Sequence, residues 1–140
     1  MKFEAQAAIL VEQAATRYIE VHGWPPPQAD GWTVDGEGRL DLLPALAALD
    51  GAPDVDQAAA GFHATLVAGL GDWVTQAARS RGLTTLAWGG GCFLNSLLSA
   101  GLRQNLEQCG MTVIAPRLVS PGDAGVALGQ AWVAINSLEQ

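Results

Sequence analysis

The sequence predicts a single α/β domain in which strands alternate with helices. Its second half contains two strand–turn–helix units in tandem. The first unit has a strand over residues 83–88, a run of three glycines and a helix that begins near Asn95. In the second unit, a strand over residues 111–115 leads through residues 121–123 into the last helix. This alternation is typical of a layer of parallel strands covered by helices.

The first half of the chain is predicted to be mostly helical. Residues 4–19 form an alanine-rich helix that ends before the proline-rich segment 24–27, because proline cannot continue a helix. A short strand over residues 32–35 and a glycine turn follow, and residues 40–49 form or lead into a short helix. A long helix then covers residues 57–80.

The ends and faces of the later helices follow from capping residues and helical spacing. Asp56 is the expected N-cap of the long helix, and Gly82 is suited to the left-handed position after its last turn. Six apolar residues are expected to form the buried stripe of this helix. Four apolar residues are expected to form one buried face of the last helix, residues 124–137. These are Ala58, Phe62, Leu66, Leu70, Trp73 and Ala77 in the long helix, and Leu128, Ala131, Trp132 and Ile135 in the last.

The composition excludes several classes of protein. The 140 residues are 49% hydrophobic and 15% charged, with seven Lys plus Arg and a formal net charge of −7. This balance disfavours nucleic acid as a partner, since nucleic-acid binding requires clustered cations. No apolar run reaches the ~20 residues of a membrane span, and no secretion signal is recognisable. We therefore expect a cytoplasmic protein whose two cysteines, Cys92 and Cys109, are reduced.

Both predicted strand-to-helix turns favour anion binding. Helix N-termini carry unpaired N–H groups and partial positive charge, which suit phosphates and carboxylates. Gly90 and Gly91 lack a Cβ and would let the backbone approach a nucleotide. The alternative for the same glycines is an ordinary tight turn between a strand and a helix.

Four segments, taken in order, resemble one family. Residues 90–95, Gly-Gly-Cys-Phe-Leu-Asn, resemble the Gly-Gly-Val-Phe-Gln-Asn segment of the HypF hydrogenase-maturation carbamoyltransferases. Residues 3–8 resemble that family's Tyr-Glu-Gly-Gln-Ala-Ala, and Phe62-His63 matches its Phe-His pair. Residues 119–130 resemble Val-Pro-Pro-Asn-Asp-Gly-Gly-Ile-Ala-Leu-Gly-Gln. The catalytic region of these enzymes is similar to the universal tRNA threonylcarbamoyladenosine enzymes.

The resemblance implies a fold and an activity. The fold is one lobe of an actin-like ATPase, with a ribonuclease-H-like core. The activity uses ATP, a divalent metal and carbamoyl phosphate to form a carbamoyl-adenylate. The carbamoyl group then passes to the C-terminal cysteine of a HypE-like protein, on the way to the cyanide ligands of nickel–iron hydrogenase.

The resemblance also assigns roles to individual residues. Gly90, Gly91 and Asn95 would contact the nucleotide, Glu4 the ribose hydroxyls, and Asp123 a metal. Structural alternatives remain for three of them: Asn95 and Asp123 as helix caps, and Glu4 as a carboxylate at a helix start.

Two further residues are expected to be structural. His63 is predicted to be a partly buried, hydrogen-bonded side chain rather than a metal ligand. Cys92 stands where the family has valine, which indicates packing rather than nucleophilic chemistry.

The chain departs from the family in what precedes these motifs. The acylphosphatase and zinc-finger regions are absent, as is the preceding lobe with its two metal-binding histidines, and the only histidines here are His22 and His63. We therefore expect a C-terminal piece that does not catalyse the full reaction alone, with a non-catalytic binding module as the alternative. The tryptophans of the chain predict an apolar surface that the missing lobe covers, or through which the isolated chain self-associates. The alternative is that they simply pack in the core.

Overall fold

A computed structural model describes residues 5–137 of the chain and confirms the α/β class. The helices and strands, in order, are α1 (Gln6–His22), β1 (Thr33–Val34), β2 (Leu40–Asp41), α2 (Leu43–Ala47), α3 (Val55–Arg79), β3 (Thr85–Ala87), α4 (Ser96–Gln108), β4 (Thr112–Ile114) and α5 (Val126–Ser137). Two short 3-10 turns, Gly91–Leu94 and Asp123–Gly125, precede α4 and α5.

The central helix α3 begins two residues earlier than predicted. Asp54, in extended conformation, is its N-cap, and the Asp54 carboxylate accepts hydrogen bonds from the N–H groups of Asp56 and Gln57, both at 3.0 Å. The expectation that Asp56 is the cap is therefore wrong. The Asp56 carboxylate instead accepts a hydrogen bond from Arg17 of α1 at 2.6 Å.

The end of α3 follows the prediction for Gly82. This glycine has a φ of +65° and donates its N–H to the Arg79 carbonyl at 3.1 Å. Leu83 donates to the Ala78 carbonyl at 3.0 Å. These two bonds form a Schellman motif, which turns the chain from α3 toward β3.

The buried face of α3 is not the predicted stripe and consists mainly of small residues. The six residues of the predicted stripe are all half-buried, whereas the buried positions of the helix are Ala59, Ala60, His63, Ala64, Thr65, Val67, Gly69, Gly71, Thr75 and Ala78. Helix α3 packs against both α1 and α4. Small residues let helices approach closely: a Cβ at Gly101 of α4 would lie 2.9 Å from the Val67 side chain of α3.

Strands β3 and β4 are parallel, with Leu86 opposite Val113. Helix α4 connects them, and Leu102, Leu106 and Met111 form the core beneath the pair. Because the strands are parallel, their carboxyl ends lie at the same edge. Strands β1 and β2 form a separate antiparallel hairpin.

Helix α5 differs most from the prediction. All of its residues are exposed, including Trp132 at 69% and Ile135 at 59%. The expected burial of one face of this helix is therefore wrong within residues 5–137. None of the helices in that range is both long and apolar enough to cross a membrane.

Candidate anion-binding crevice

Two loops meet at the carboxyl ends of β3 and β4. We call residues 89–94 the glycine loop and residues 119–125 the aspartate loop. The Gly90 N–H donates to the Pro121 carbonyl at 2.6 Å, and a Cβ placed on Gly122 would lie 3.5 Å from the Gly91 Cα. A crevice outside the carboxyl ends of parallel strands is where α/β folds bind ligands.

Four backbone N–H groups at the starts of the two 3-10 turns have no hydrogen-bond partner among residues 5–137. They belong to Gly91, Cys92, Asp123 and Ala124, all of which are exposed. Each is one of the first two residues of a 3-10 turn, where an N–H group has no acceptor within the turn. Two pairs of donors are thus available on adjacent loops, an arrangement suited to an anion.

Aromatic stacking fixes the base of the glycine loop. The rings of Trp88 and Phe93 are parallel to within 3°, with centroids 4.9 Å apart. Arg103 lies 5.4 Å from the Trp88 ring centroid and donates to the Val113 carbonyl at 3.3 Å. Because residues 88 and 93 flank the glycines, this stack holds the loop in one conformation without a ligand.

The two glycines predicted to bind nucleotide differ in their constraints. Gly90 has a φ of +116°, a conformation that residues with a side chain rarely adopt. Gly91 has no such constraint, and a Cβ there would meet no other atom within 4 Å. A side chain at Gly91 would thus project into open space beside the free N–H groups.

Asn95 adopts its predicted capping role. Its Oδ1 accepts a hydrogen bond from the Leu98 N–H at 2.8 Å, and the Glu12 carboxylate accepts from both the N–H and the hydroxyl of Ser96, each at 2.7 Å. These two donors at the N-terminus of α4 are therefore already satisfied by the protein itself. The open donors at Gly91 and Cys92 lie in the 3-10 turn before α4.

His63 is buried, with 3% of its surface exposed, and is hydrogen-bonded at both ring nitrogens. Nδ1 lies 2.9 Å from the Ala59 carbonyl and Nε2 lies 3.1 Å from the Asn95 Nδ2. A carbonyl can only accept, so Nδ1 carries the proton and Nε2 accepts from Asn95. The expected structural, hydrogen-bonded role of His63 is confirmed.

Asp123 begins the second 3-10 turn and does not cap α5. Its exposed carboxylate makes no hydrogen bond to any residue that the structure describes, and the residue before it, Gly122, provides no side-chain cap. The expectation that Asp123 is an N-cap is thus wrong. No group of three or more His, Cys, Asp or Glu side chains in residues 5–137 is arranged to hold a metal, so this part of the chain offers at most one carboxylate ligand here. Glu4 lies outside the described residues.

Two residues beside the crevice differ from the expectation or were missed by it. Cys92 is exposed, so its expected role in packing is wrong. Arg117 follows β4 by three residues, is exposed, and forms no ion pair or hydrogen bond with another described residue. The sequence could have pointed to Arg117, because it is one of only seven Lys plus Arg residues and lies in the segment that leads to the aspartate loop.

Comparison with known proteins identifies similar sequences along nearly the whole chain. The family model described as "Carbamoyltransferase, Kae1-like Domain, second subdomain" matches residues 1–130. A "Carbamoyltransferase HypF homolog" of Cupriavidus necator is 46% identical over 137 residues, which cover 94% of this chain and 34% of that protein. "Carbamoyltransferase HypF" of Rhizobium leguminosarum bv. viciae is 41% identical over 91% of this chain and 18% of that protein. The chain therefore spans about a third or less of the length of these relatives.

Two solved structures share the fold. "Crystal structure of full-length HypF in the phosphate- and nucleotide-bound form" matches with a TM-score of 0.76 at 24% identity, covering 100% of this chain and 18% of that one. "Crystal structure of T.kodakarensis HypF" matches with a TM-score of 0.74 at 25% identity, covering 98% and 17%. The predicted fold class is confirmed.

Proposed function

Since the chain belongs to the HypF carbamoyltransferase family, as the second subdomain of its Kae1-like domain, we propose that it is the nucleotide-binding part of such an enzyme. In the complete protein, ATP and carbamoyl phosphate would form a carbamoyl-adenylate. The carbamoyl group would then pass to the cysteine of a HypE-like protein during maturation of nickel–iron hydrogenase, in the cytoplasm.

The observation that carries this proposal is the contact between the glycine loop and the aspartate loop. The N–H groups of residues 91, 92, 123 and 124, which have no partner in the part of the chain that the structure describes, would bind phosphate oxygens of the nucleotide. Gly91 leaves the space beside them open. Asn95 would contribute through the one N–H and one oxygen lone pair that His63 and Leu98 do not use.

The charges of the crevice imply a cation in addition to the backbone donors. The exposed Asp123 carboxylate would repel the phosphates of ATP unless a cation lies between them. Asp123 would be one ligand of a divalent metal in the complete protein, with the other ligands supplied from outside residues 5–137, because that range contains no three-ligand group. Arg117 is a second source of positive charge near this edge of the sheet.

On its own, the chain would bind nucleotide without completing the reaction. Its contribution would be to position the phosphates and to stabilise their charge. The alternative, a non-catalytic binding module, is favoured by one observation: the apolar helix α5 is exposed along its whole length. We propose that the preceding lobe or a second copy of the chain covers this helix.

Nucleotide binding can be tested with a substitution that fills the crevice without disturbing the fold. We expect Gly91→Leu to abolish ATP binding measured by calorimetry in the presence of Mg²⁺, because its side chain would occupy the space beside the free N–H groups. Gly36→Leu is the matched control, since a Cβ at Gly36 also meets nothing within 4 Å but lies in the β1–β2 hairpin. Equal ATP binding by both variants, or no binding at millimolar ATP by the unchanged chain, would refute the proposal.

Catalysis requires a separate test with the missing part supplied in trans. We expect that adding a second protein, the preceding lobe of a relative, to this chain restores ATP cleavage that depends on carbamoyl phosphate. Restored cleavage that Gly91→Leu abolishes would identify this chain as the nucleotide-binding part. ATP binding without any restored cleavage would favour the binding module.

A further inference from the structure

We propose that His63 is a positioning residue for the glycine loop. As the Nδ1–H tautomer, it fixes the Asn95 amide, and through Asn95 it fixes the junction between the glycine loop and α4. The inference deepens the proposed function, because the consequence for ATP rests on that function. The effect of His63 on the conformation of the glycine loop does not depend on the proposed function.

The first step is that the hydrogen bonds around His63 have only one consistent direction. The Ala59 carbonyl must accept from Nδ1, so Nε2 must accept from the Asn95 Nδ2. The Asn95 Oδ1 then faces the Leu98 N–H, which it caps at 2.8 Å. Rotating the amide by 180° would place donor against donor at Leu98 and acceptor against acceptor at His63.

The second step is that this chain of bonds is buried on the α3 side. His63 is 3% exposed and Ala59 is 4% exposed. An unpaired polar group costs more in such surroundings than in water, so the arrangement in which every atom has a partner is strongly preferred. Asn95 is therefore held in one rotamer and one amide orientation by α3, an element remote in sequence.

The third step connects Asn95 to the free donors of the crevice. The Asn95 N–H donates to the Cys92 carbonyl at 3.2 Å, and the Ser99 N–H donates to the Asn95 carbonyl at 3.0 Å. The Ser99 hydroxyl donates to the Phe93 carbonyl at 2.7 Å. A shift of Asn95 thus moves the end of the 3-10 turn whose first N–H groups, at Gly91 and Cys92, are open.

Glu12 holds the same junction from another helix, which provides a comparison. Its carboxylate accepts from the Ser96 N–H and hydroxyl, both at 2.7 Å, in an exposed position. Replacing Glu12 by glutamine removes the charge at the start of α4 while its amide oxygen can still accept from Ser96, and it changes no contact of the Asn95 amide. Glu12→Gln is therefore the matched control for variants of His63.

The test uses two substitutions of His63 and one measurement on the unchanged chain. In His63→Gln the side-chain oxygen can replace Nε2 as the acceptor for Asn95, whereas His63→Leu fills similar space without an acceptor. The measurement is the ¹⁵N spectrum of the imidazole, which distinguishes the Nδ1–H from the Nε2–H tautomer. It does not depend on the folding of any variant.

We expect the Nδ1–H tautomer in the unchanged chain. In His63→Leu we expect faster amide exchange at Leu98 and at Asn95, whose N–H groups donate to the Asn95 Oδ1 and the Cys92 carbonyl. We expect the Kd for ATP to rise about five- to tenfold in His63→Leu, the equivalent of one lost hydrogen bond, and to return to within about twofold in His63→Gln. Glu12→Gln should leave the Asn95 exchange rate unchanged.

Several results would overturn the inference. One is the Nε2–H tautomer; another is identical amide exchange at Leu98 and Asn95 in His63→Leu and the unchanged chain. A third is an equal loss of ATP affinity in His63→Gln and His63→Leu, which would indicate general destabilisation of the core. If the unchanged chain binds no ATP, the proposed function fails, and the tautomer and the exchange rates still decide the role of His63.

Discussion

At the scale of single residues, helix α1 is tied to its neighbours by charged side chains at helix starts. Asp56, in the first turn of α3, is bound by Arg17, and Glu12 binds Ser96 at the start of α4. Carboxylates are favourable near helix N-termini because of the helix dipole. The hydrogen bond from Arg17 is the main reason why the pKa of Asp56 is lowered from its ordinary value of 3.8.

The Arg17–Asp56 pair predicts a specific dependence of stability on pH. A lowered pKa in the folded state means that the Asp56 carboxylate stabilises the fold at pH values above 3.8, its ordinary value, and that this contribution is lost as the pH falls through the lower, folded-state pKa. Asp56→Asn should therefore be less stable than the unchanged chain at pH 7 and equally stable at the acid end of the range. Urea unfolding at a series of pH values measures this difference.

The control for that experiment is Asp50→Asn, because Asp50 is exposed and its carboxylate pairs with no other residue that the structure describes. Its stability should follow that of the unchanged chain at every pH. A difference for Asp56→Asn that stays constant from neutral to acid pH would show that the ion pair does not contribute.

At the scale of elements, the aspartate loop and α5 contain glycines with opposite requirements. A Cβ at Gly125 would lie 2.5 Å from the Ser120 carbonyl oxygen, within the turn that presents Asp123. A Cβ at Gly129, inside α5, would meet nothing within 4 Å. The aspartate loop thus has no room for a side chain at Gly125, whereas α5 has room for one at Gly129.

These two glycines predict changes of opposite sign. Gly125→Ala should lower the free energy of unfolding by about 1–3 kcal/mol through overpacking, and should weaken ATP binding by shifting the N–H groups of Asp123 and Ala124. Gly129→Ala should be neutral, or should favour α5 by up to about 1 kcal/mol, because alanine is the better helix former. Chemical denaturation of both variants tests this, and equal effects would contradict the close contact at Gly125.

At the scale of the whole molecule, the exposed α5 is the largest difference between the expected and the observed structure. Val126, Leu128, Trp132, Val133 and Ile135 are all more than half exposed on this helix. All of these except Val133 line, together with part of the aspartate loop, an open groove of about 590 Å³. An apolar surface of this kind marks an interaction site.

We expect the isolated chain to self-associate through α5. Trp132→Glu should shift the chain toward monomer in sedimentation velocity, because it places a charge on the apolar surface. Val21→Glu is the matched control, since Val21 is 75% exposed on α1, outside this groove. Self-association that is unchanged in Trp132→Glu, or lost equally in both variants, would show that α5 is not the contact.

The sequence by itself determined the order of the long helices and the two parallel strands, the Gly82 turn and the two loops of the crevice, because these depend on local backbone preferences and on motifs of adjacent residues. It did not predict strand β2 at Leu40–Asp41. Only the tertiary structure decided which face of α3 is buried, since that depends on the close approach of α1 and α4 to small residues. It also decided that His63 fixes the Asn95 amide and that Glu12 pairs with the Ser96 N–H at the start of α4, contacts between residues 32 and 84 positions apart. Because these contacts depend on how helices remote in sequence meet, local backbone preferences could not predict which N–H groups near the start of α4 are paired and which remain open.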